Sequence, residues 1–316
     1  MIKPLAPRGD RKHILILGAS GFVGRALFAR LGAQRATPTY CRTPIEHGVQ
    51  FDACTTRISD VLDNPEAYSH AVILLGDTKP DSCAANQATS YAVNVEGVLA
   101  VIEDLVSWQI KPIFFSSEFV FDGTTGSYTE DDAVNPILTY GKQKVEVEHY
   151  LQERLDDYVI LRLAKTYGRQ RGDGSLFTQW LEQLERERTI VCANDQIFSP
   201  IAVDDVVEAI VRIIERDCRG LFHLCGPQGH SRLQLFEMLL QAVREHAPID
   251  VQVIPKSIHD FPLRERRPLD VSMRPDKLVA ATGIRLQAAQ DVCHEIVEQA
   301  FRQATGSSAG FPQHVR

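Results

Sequence analysis

The apolar, β-branched run His13–Leu17 leads directly into Gly18-Ala-Ser20-Gly21-Phe22-Val23-Gly24, and helical spacing then continues over Phe22–Leu31. A strand, a glycine turn and a helix in that order leave few folds open. Gly18 permits the tight turn. Gly21 lets the backbone approach a pyrophosphate, and Gly24 lets the helix pack closely on the strand. Phosphates would then sit at the helix N-terminus, where unpaired N–H groups and the dipole favour anions. The spacing is G-x-x-G-x-x-G, not the more usual G-x-G-x-x-G, so its place at the head of an alternating series matters as much as the glycines.

That series continues. Thr37–Cys41, Val49–Ala53, Ala71–Leu75, Lys111–Ser116 and Tyr158–Leu163 read as strands, with helices at about Thr89–Trp108 and Tyr140–Leu151. Such alternation predicts an α/β fold: a doubly wound, mostly parallel, Rossmann-type sheet with helices on both faces. After about residue 165 the pattern loosens. Helices are expected at Leu176–Glu187, Val203–Glu215, Leu233–His246 and Gln287–Ala304, with short strands at Leu221–Leu224 and Asp250–Ile254. The expected organisation is a nucleotide-binding domain over 1–165, a small C-terminal α/β substrate lobe over 166–304 with 190–225 partly returning to the first domain, and a flexible tail over 305–316.

Composition excludes several alternatives. A net charge of −7 and no basic run make nucleic acid a poor partner. No apolar stretch approaches bilayer length, and the first dozen residues lack the apolar segment of a signal peptide. Seven scattered cysteines without a C-x-x-C pair suggest free, mostly buried thiols in the cytoplasm, and neither Cys nor His spacing suggests a metal.

The tip of the second strand separates the two nicotinamide cofactors, since an acid there binds the ribose 2′-OH of NAD and a base accepts a 2′-phosphate. The sequence there is Tyr40-Cys41-Arg42-Thr43. Arg42, assisted by Ser20, therefore favours NADP, with NAD still open and a solvated surface charge as the plain alternative.

Tyr140 and Lys144 lie four apart and share a helix face. A nearby ammonium lowers a phenol's pKa, so Tyr140 can exchange a proton near neutral pH. The preceding strand ends at Ser116-Ser117. A hydroxyl at a strand's carboxyl end can hold a reacting carbonyl oxygen while Tyr140 protonates it. An exposed helical pair is the alternative.

The segments GASGFVG, AVNVEGV, FFSSEFVFDG, YTEDD, YGKQKVEVE, LRLAKTYG and NDQIFSPIAVDDVVEAI resemble the extended short-chain dehydrogenase/reductases, most closely their dTDP-4-dehydrorhamnose reductase branch, over about residues 12–304. The resemblance implies reduction of a keto group on a nucleotide-linked sugar by NAD(P)H, often in a homodimer. It makes Ser117, Tyr140 and Lys144 catalytic, with Lys144 also on the nicotinamide ribose. It places Asn94 near the cofactor and Asp52, ending the third strand, near adenine. Leu75, Gly76 and Asp77 fall beside the adenosine ribose and phosphates, and Gln196, Ser199 and Pro200 border the pocket.

The chain departs from that pattern in places. Glu118-Phe119 stands where related dehydratases have Asp-Glu, and Phe119 cannot act as acid or base, which argues against elimination. Glu118 is either an auxiliary acid or a backbone ligand. Lys165 stands where related epimerases often present a sugar-contacting Asn; a cation there suits a substrate phosphate or carboxylate, or else a salt bridge. Arg264, Arg266 and Arg267 resemble a diphosphate-binding segment, with a solvated turn as the alternative. Two other readings stay open: a sugar-nucleotide epimerase with tightly held NAD, and a non-catalytic regulatory subunit such as that of methionine adenosyltransferase.

Overall fold

A computed structural model describes residues 12–306, with side chains described through 303. β1 (His13–Leu17) buries four consecutive side chains, so both its faces are covered, as a central parallel strand requires. The chain then forms α1 (Phe22–Leu31), β2 (Ala36–Tyr40), β3 (Val49–Gln50), β4 (Tyr68–Ile73), α2 (Pro80–Ala85), α3 (Gln87–Tyr91), α4 (Gly97–Ser107), β5 (Lys111–Ser117), α5 (Thr139–Arg154) and β6 (Val159–Leu163). Beyond β6 come β7 (Thr166–Tyr167), α6 (Leu176–Leu184), β8 (Thr189–Ala193), β9 (Ile197–Phe198), β10 (Ile201–Ala202), α7 (Val203–Glu215), β11 (Gly220–Leu224), β12 (His230–Ser231), α8 (Arg232–His246), β13 (Gln252–Lys256), α9 (Asp276–Thr282) and α10 (Ala289–Gly306).

Seven strands form one parallel sheet in the order β11-β6-β5-β4-β1-β2-β3. Strand side chains alternate between two apolar clusters. Ile14, Ile16, Val72, Ile113 and Leu161 face one layer, and Leu15, Leu17, Ile73, Phe114 and Ile160 the other. The order of connection reverses between β1 and β4, which opens a crevice at their carboxyl ends. The glycine turn after β1 and the Leu74–Gly76 turn after β4 meet there, with Leu74 N–H donating to Leu17 O at 2.9 Å.

The second half of the chain divides between two places. β11 pairs with β6 at the sheet edge, and α7 packs against α1. β8 and β13 form a separate parallel pair beside α8, which also packs on α10. A reciprocal capping box starts α8: Ser231 Oγ accepts from Gln234 N–H at 3.1 Å, and Gln234 Oε1 accepts from Ser231 N–H at 2.8 Å.

Several expected boundaries move. The helix expected over 89–108 is broken by a π turn at Ala92–Glu96, whose extra residue per turn aims Asn94 fully inward. β2 ends at Tyr40 rather than 41, and β4 runs Tyr68–Ile73 rather than 71–75. β3 stops after two residues, because the Asp52 carboxylate accepts the Cys54 N–H at 3.0 Å and turns the chain. Asp52 therefore lies beyond the strand rather than ending it. The expected helix 176–187 ends at Leu184, and the strand expected at 250–254 runs Gln252–Lys256. The tail beyond 306 lies outside the described residues. Among the described residues no helix is long and apolar enough to cross a membrane, and no cluster of His, Cys, Asp or Glu could hold a metal. All seven cysteines are free; Cys83, Cys192, Cys225 and Cys293 are buried.

Candidate active site

A cavity of about 590 Å³ opens at the crevice and runs from the glycine turn to the β8–β13 side of the molecule. At one end Gly18, Gly21, Phe22, Val23, Gly24, Leu75 and Gly76 line it. Gly18 has φ +85°, a conformation that costs an L side chain free energy. A Cβ on Gly24 would lie 2.6 Å from Ala19 Cα, so only glycine lets α1 start this close to β1. Gly21 precedes α1 without a side-chain cap, and no acid occupies the first turn. The first N–H groups of α1 therefore remain open to an anion. This cradle fits a dinucleotide pyrophosphate.

Asn94 acts one layer behind the wall. Its Oδ1 accepts from Asp77 N–H at 2.8 Å, and its Nδ2 donates to Asp77 O at 3.1 Å and to Gln143 Oε1 at 2.8 Å. The π turn thus pins the Gly76–Asp77 loop to α5. Gly76 has φ +140°, and a Cβ there would meet Asn94 Oδ1 at 2.6 Å.

The middle of the cavity holds Ser117, Tyr140 and Lys144, all buried. α5 packs against β5 and the turn that follows it. A Cβ on Gly141 would lie 2.1 Å from Phe119 O, so glycine beside the tyrosine permits the approach. Leu138 precedes α5 without capping it; instead Glu265 Oε1 accepts from Thr139 N–H at 3.0 Å and Thr139 Oγ1 at 2.8 Å. Lys144 Nζ donates to Phe115 O at 2.8 Å and lies 5.7 Å from the Tyr140 ring centroid. Phe119 meets Tyr140 edge-on, with centroids 6.4 Å apart.

Electrostatics here differ from the sequence expectation. Burial raises the Tyr140 phenol well above its ordinary range, with the Ser117 hydrogen bond opposing it. Tyr140 is held as a neutral donor. Burial also lowers Lys144 to about 8.

At the far end Glu118, Phe119, Lys165, Gln196 and Arg267 line the wall, joined by Arg232. Burial raises Glu118 to about 8 against the opposing Lys165 and Arg232 charges. Lys165 makes no salt bridge in the described residues; its backbone N–H donates to Glu118 Oε2 at 3.3 Å. Arg267 pairs with Asp81 at 2.7 Å, joining its segment to α2. Arg264 and Arg266 are exposed.

Other expected residues lie off the wall. Arg42 is exposed at the tip of β2, and Ser20, Asp52, Asp77 and Asn94 do not line the cavity. Ser20 O instead accepts from the Arg25 guanidinium. Ser199 turns away, its Oγ donating to Met273 O at 2.9 Å, and Pro200 is likewise absent from the wall, because this turn closes on the core. Arg232 escaped the sequence reading. The Ser231–Gln234 box could have set it on a first helical turn, but nothing local brings that turn to the cavity.

Comparison with known proteins matches residues 12–301 to the family described as RmlD substrate binding domain. A dTDP-4-dehydrorhamnose reductase from Sinorhizobium fredii is 28% identical over 246 residues, covering 75% of this chain and 82% of its own. Methionine adenosyltransferase 2 subunit beta from Bos taurus is 24% identical over 241 residues, 71% of this chain and 70% of its own. The crystal structure of a Bacillus anthracis dTDP-4-dehydrorhamnose reductase in complex with NADP shares the fold, with TM-score 0.76 and 20% identity over 92% of this chain and 99% of that one. With a match spanning nearly its whole described length, this chain belongs to the RmlD substrate binding domain family.

Proposed function

We propose that this protein is an NADPH-dependent oxidoreductase of the short-chain dehydrogenase/reductase type that reduces a keto group on a nucleotide-linked sugar. The observation that carries the reading is the convergence of Ser117, Tyr140 and Lys144 in one cavity with the glycine turn. Residues 12–165 would hold the cofactor, and most of 166–304 would shape the substrate end. The reductase relatives, one of them with NADP bound, support both cofactor and substrate class. Arg42, with no acid at the β2 tip, supports the 2′-phosphorylated form. Free thiols support a reducing, cytoplasmic setting.

The reduced nicotinamide, when bound, supplies the hydride that the carbonyl carbon receives. This chain's residues handle the oxygen. The Ser117 hydroxyl orients the carbonyl by hydrogen bonding its oxygen. Tyr140, kept protonated by burial, donates its proton to that oxygen as charge develops. Lys144, anchored on Phe115 O, holds positive charge beside the phenol and stabilises the phenolate left behind. Asn94 fixes the loop behind it.

The test is Tyr140→Phe with NADPH and a 4-keto sugar nucleotide. Turnover should fall by about 10²-fold or more, the scale of a general acid, while NADPH affinity survives. Equal turnover in the variant sinks the assignment. Similarity to the bovine subunit supports a second reading, a non-catalytic binding subunit. Wild-type protein inert toward keto sugars but retained by a partner enzyme would favour it.

A further inference from the structure

We propose that Lys165 and Arg232 form a subsite for a carboxylate carried on the substrate beside its reacting carbonyl. The proposal rests on reading this cavity as a keto-sugar site and narrows the substrate to an acidic sugar.

The charges in the cavity wall do not balance. Five charged side chains line it: Glu118, Lys144, Lys165, Arg232 and Arg267. Lys144 is bound to Phe115 O, and Arg267 is paired with Asp81. Lys165 and Arg232 then face one acid, Glu118, which burial keeps largely protonated below about pH 8. Lys165 is lowered by desolvation and by the Arg232 charge, with Glu118 opposing, so the two cations lie within reach of one another.

Arg232 is held ready. Its N–H donates to Gln196 O at 3.1 Å, its Nε donates to Gln196 Oε1 at 2.7 Å, and its guanidinium lies 5.7 Å from the Phe198 ring centroid. Its two terminal nitrogens, like Lys165 Nζ, make no hydrogen bond or ion pair among the described residues. A planar guanidinium with its fork free matches a planar carboxylate.

Position ties this subsite to the chemistry. β5 and β6 pair in register with Ser117 opposite Leu163, so Lys165 lies two residues beyond the partner of Ser117. Glu118 follows Ser117 directly and accepts the Lys165 N–H. An anion between Lys165 and Arg232 therefore lies a few bonds from a carbonyl held by Ser117 and Tyr140. That separation suits a carboxylate on the sugar skeleton.

The experiment is calorimetric titration of the full chain with UDP-glucuronate and UDP-glucose, which differ by a carboxylate in place of a hydroxymethyl. UDP-glucuronate should bind about 10-fold tighter or better, the scale of a charge-assisted hydrogen bond. Lys165→Met and Arg232→Met should each remove most of that preference, lowering UDP-glucuronate affinity far more than UDP-glucose affinity. Arg232→Lys, which keeps the charge and guards against misfolding as the cause, should retain part of it. Three results overturn the proposal: equal or weaker binding of UDP-glucuronate, variants that weaken both ligands alike, or inorganic phosphate protecting against thermal unfolding at lower concentration than glucuronate. Binding is read without turnover, so failure of the reductase reading in kinetic assays remains distinguishable from failure of the subsite.

Discussion

The Lys144 ammonium reaches from the second turn of α5 to the backbone carbonyl of Phe115 on β5, 2.8 Å away, and stands 4.7 Å from the Phe114 ring centroid. This contact fixes the distance between α5 and the strand end that carries Ser117. It also keeps a charge in a poorly solvated place, which is why Lys144 falls from 10.5 to about 8.

The stability consequence has a definite sign. Between pH 8 and 10.5 the unfolded chain holds this proton and the folded chain has lost it, so more protons are bound when unfolded and stability rises with pH. Lys144→Met should remove that rise, whose slope cannot exceed about 1.4 kcal/mol per pH unit for one proton. Thermal melts of both proteins across pH 7–11 check it; parallel curves would count against the assignment. Turnover should also fall steeply, since nothing then supports the phenolate.

Glu118 gives the opposite slope. Its folded pKa is raised from 4.5 to about 8, so across that window the folded chain binds the extra proton and stability falls as pH rises. Glu118→Gln keeps an acceptor for the Lys165 N–H and cannot ionise. It should melt close to wild type at pH 5 and above it at pH 8.5, by on the order of 1–3 kcal/mol after relaxation. A variant less stable than wild type at pH 8.5 would contradict the burial argument.

Gly24→Ala tests the cradle. The new Cβ would press on Ala19 Cα and Gly18 O at 2.6 and 2.7 Å, both backbone atoms that cannot swing aside. The start of α1 must shift, costing about 1–3 kcal/mol. NADPH affinity should drop with it, read by fluorescence titration beside the melting curve. An unchanged dissociation constant would mean that the pyrophosphate does not sit on this turn.

Arg42→Ala tests the cofactor choice. Loss of an exposed cation that meets a 2′-phosphate should weaken NADPH by about tenfold while leaving NADH nearly unaffected. The ratio of the two dissociation constants is the measurement. An unaltered ratio would return Arg42 to the role of a solvated surface charge.

Local pattern was enough to read much of this protein. The alternation of buried runs and helices implied a parallel sheet, because a strand covered on both faces can afford few polar residues. The placement of the glycine turn, of Tyr140 and Lys144 on one helix and of Ser117 at a strand end was legible for the same reason: each depends on backbone geometry or on spacing within one element. α7, with apolar residues recurring at helical period, runs over Val203–Glu215, the bounds its periodicity marks.

Tertiary structure alone decided what lies between elements. The π turn that aims Asn94 at Asp77 leaves no mark in periodicity, since one extra residue shifts the helical phase only locally. Glu265 caps α5 from 126 residues away, and Arg232 reaches the cavity from the start of α8. Neither neighbour is implied by local spacing. The protonation of Tyr140 and Glu118 was likewise settled by packing: desolvation depends on every atom that excludes water around a group, and that set exists only once the chain has folded.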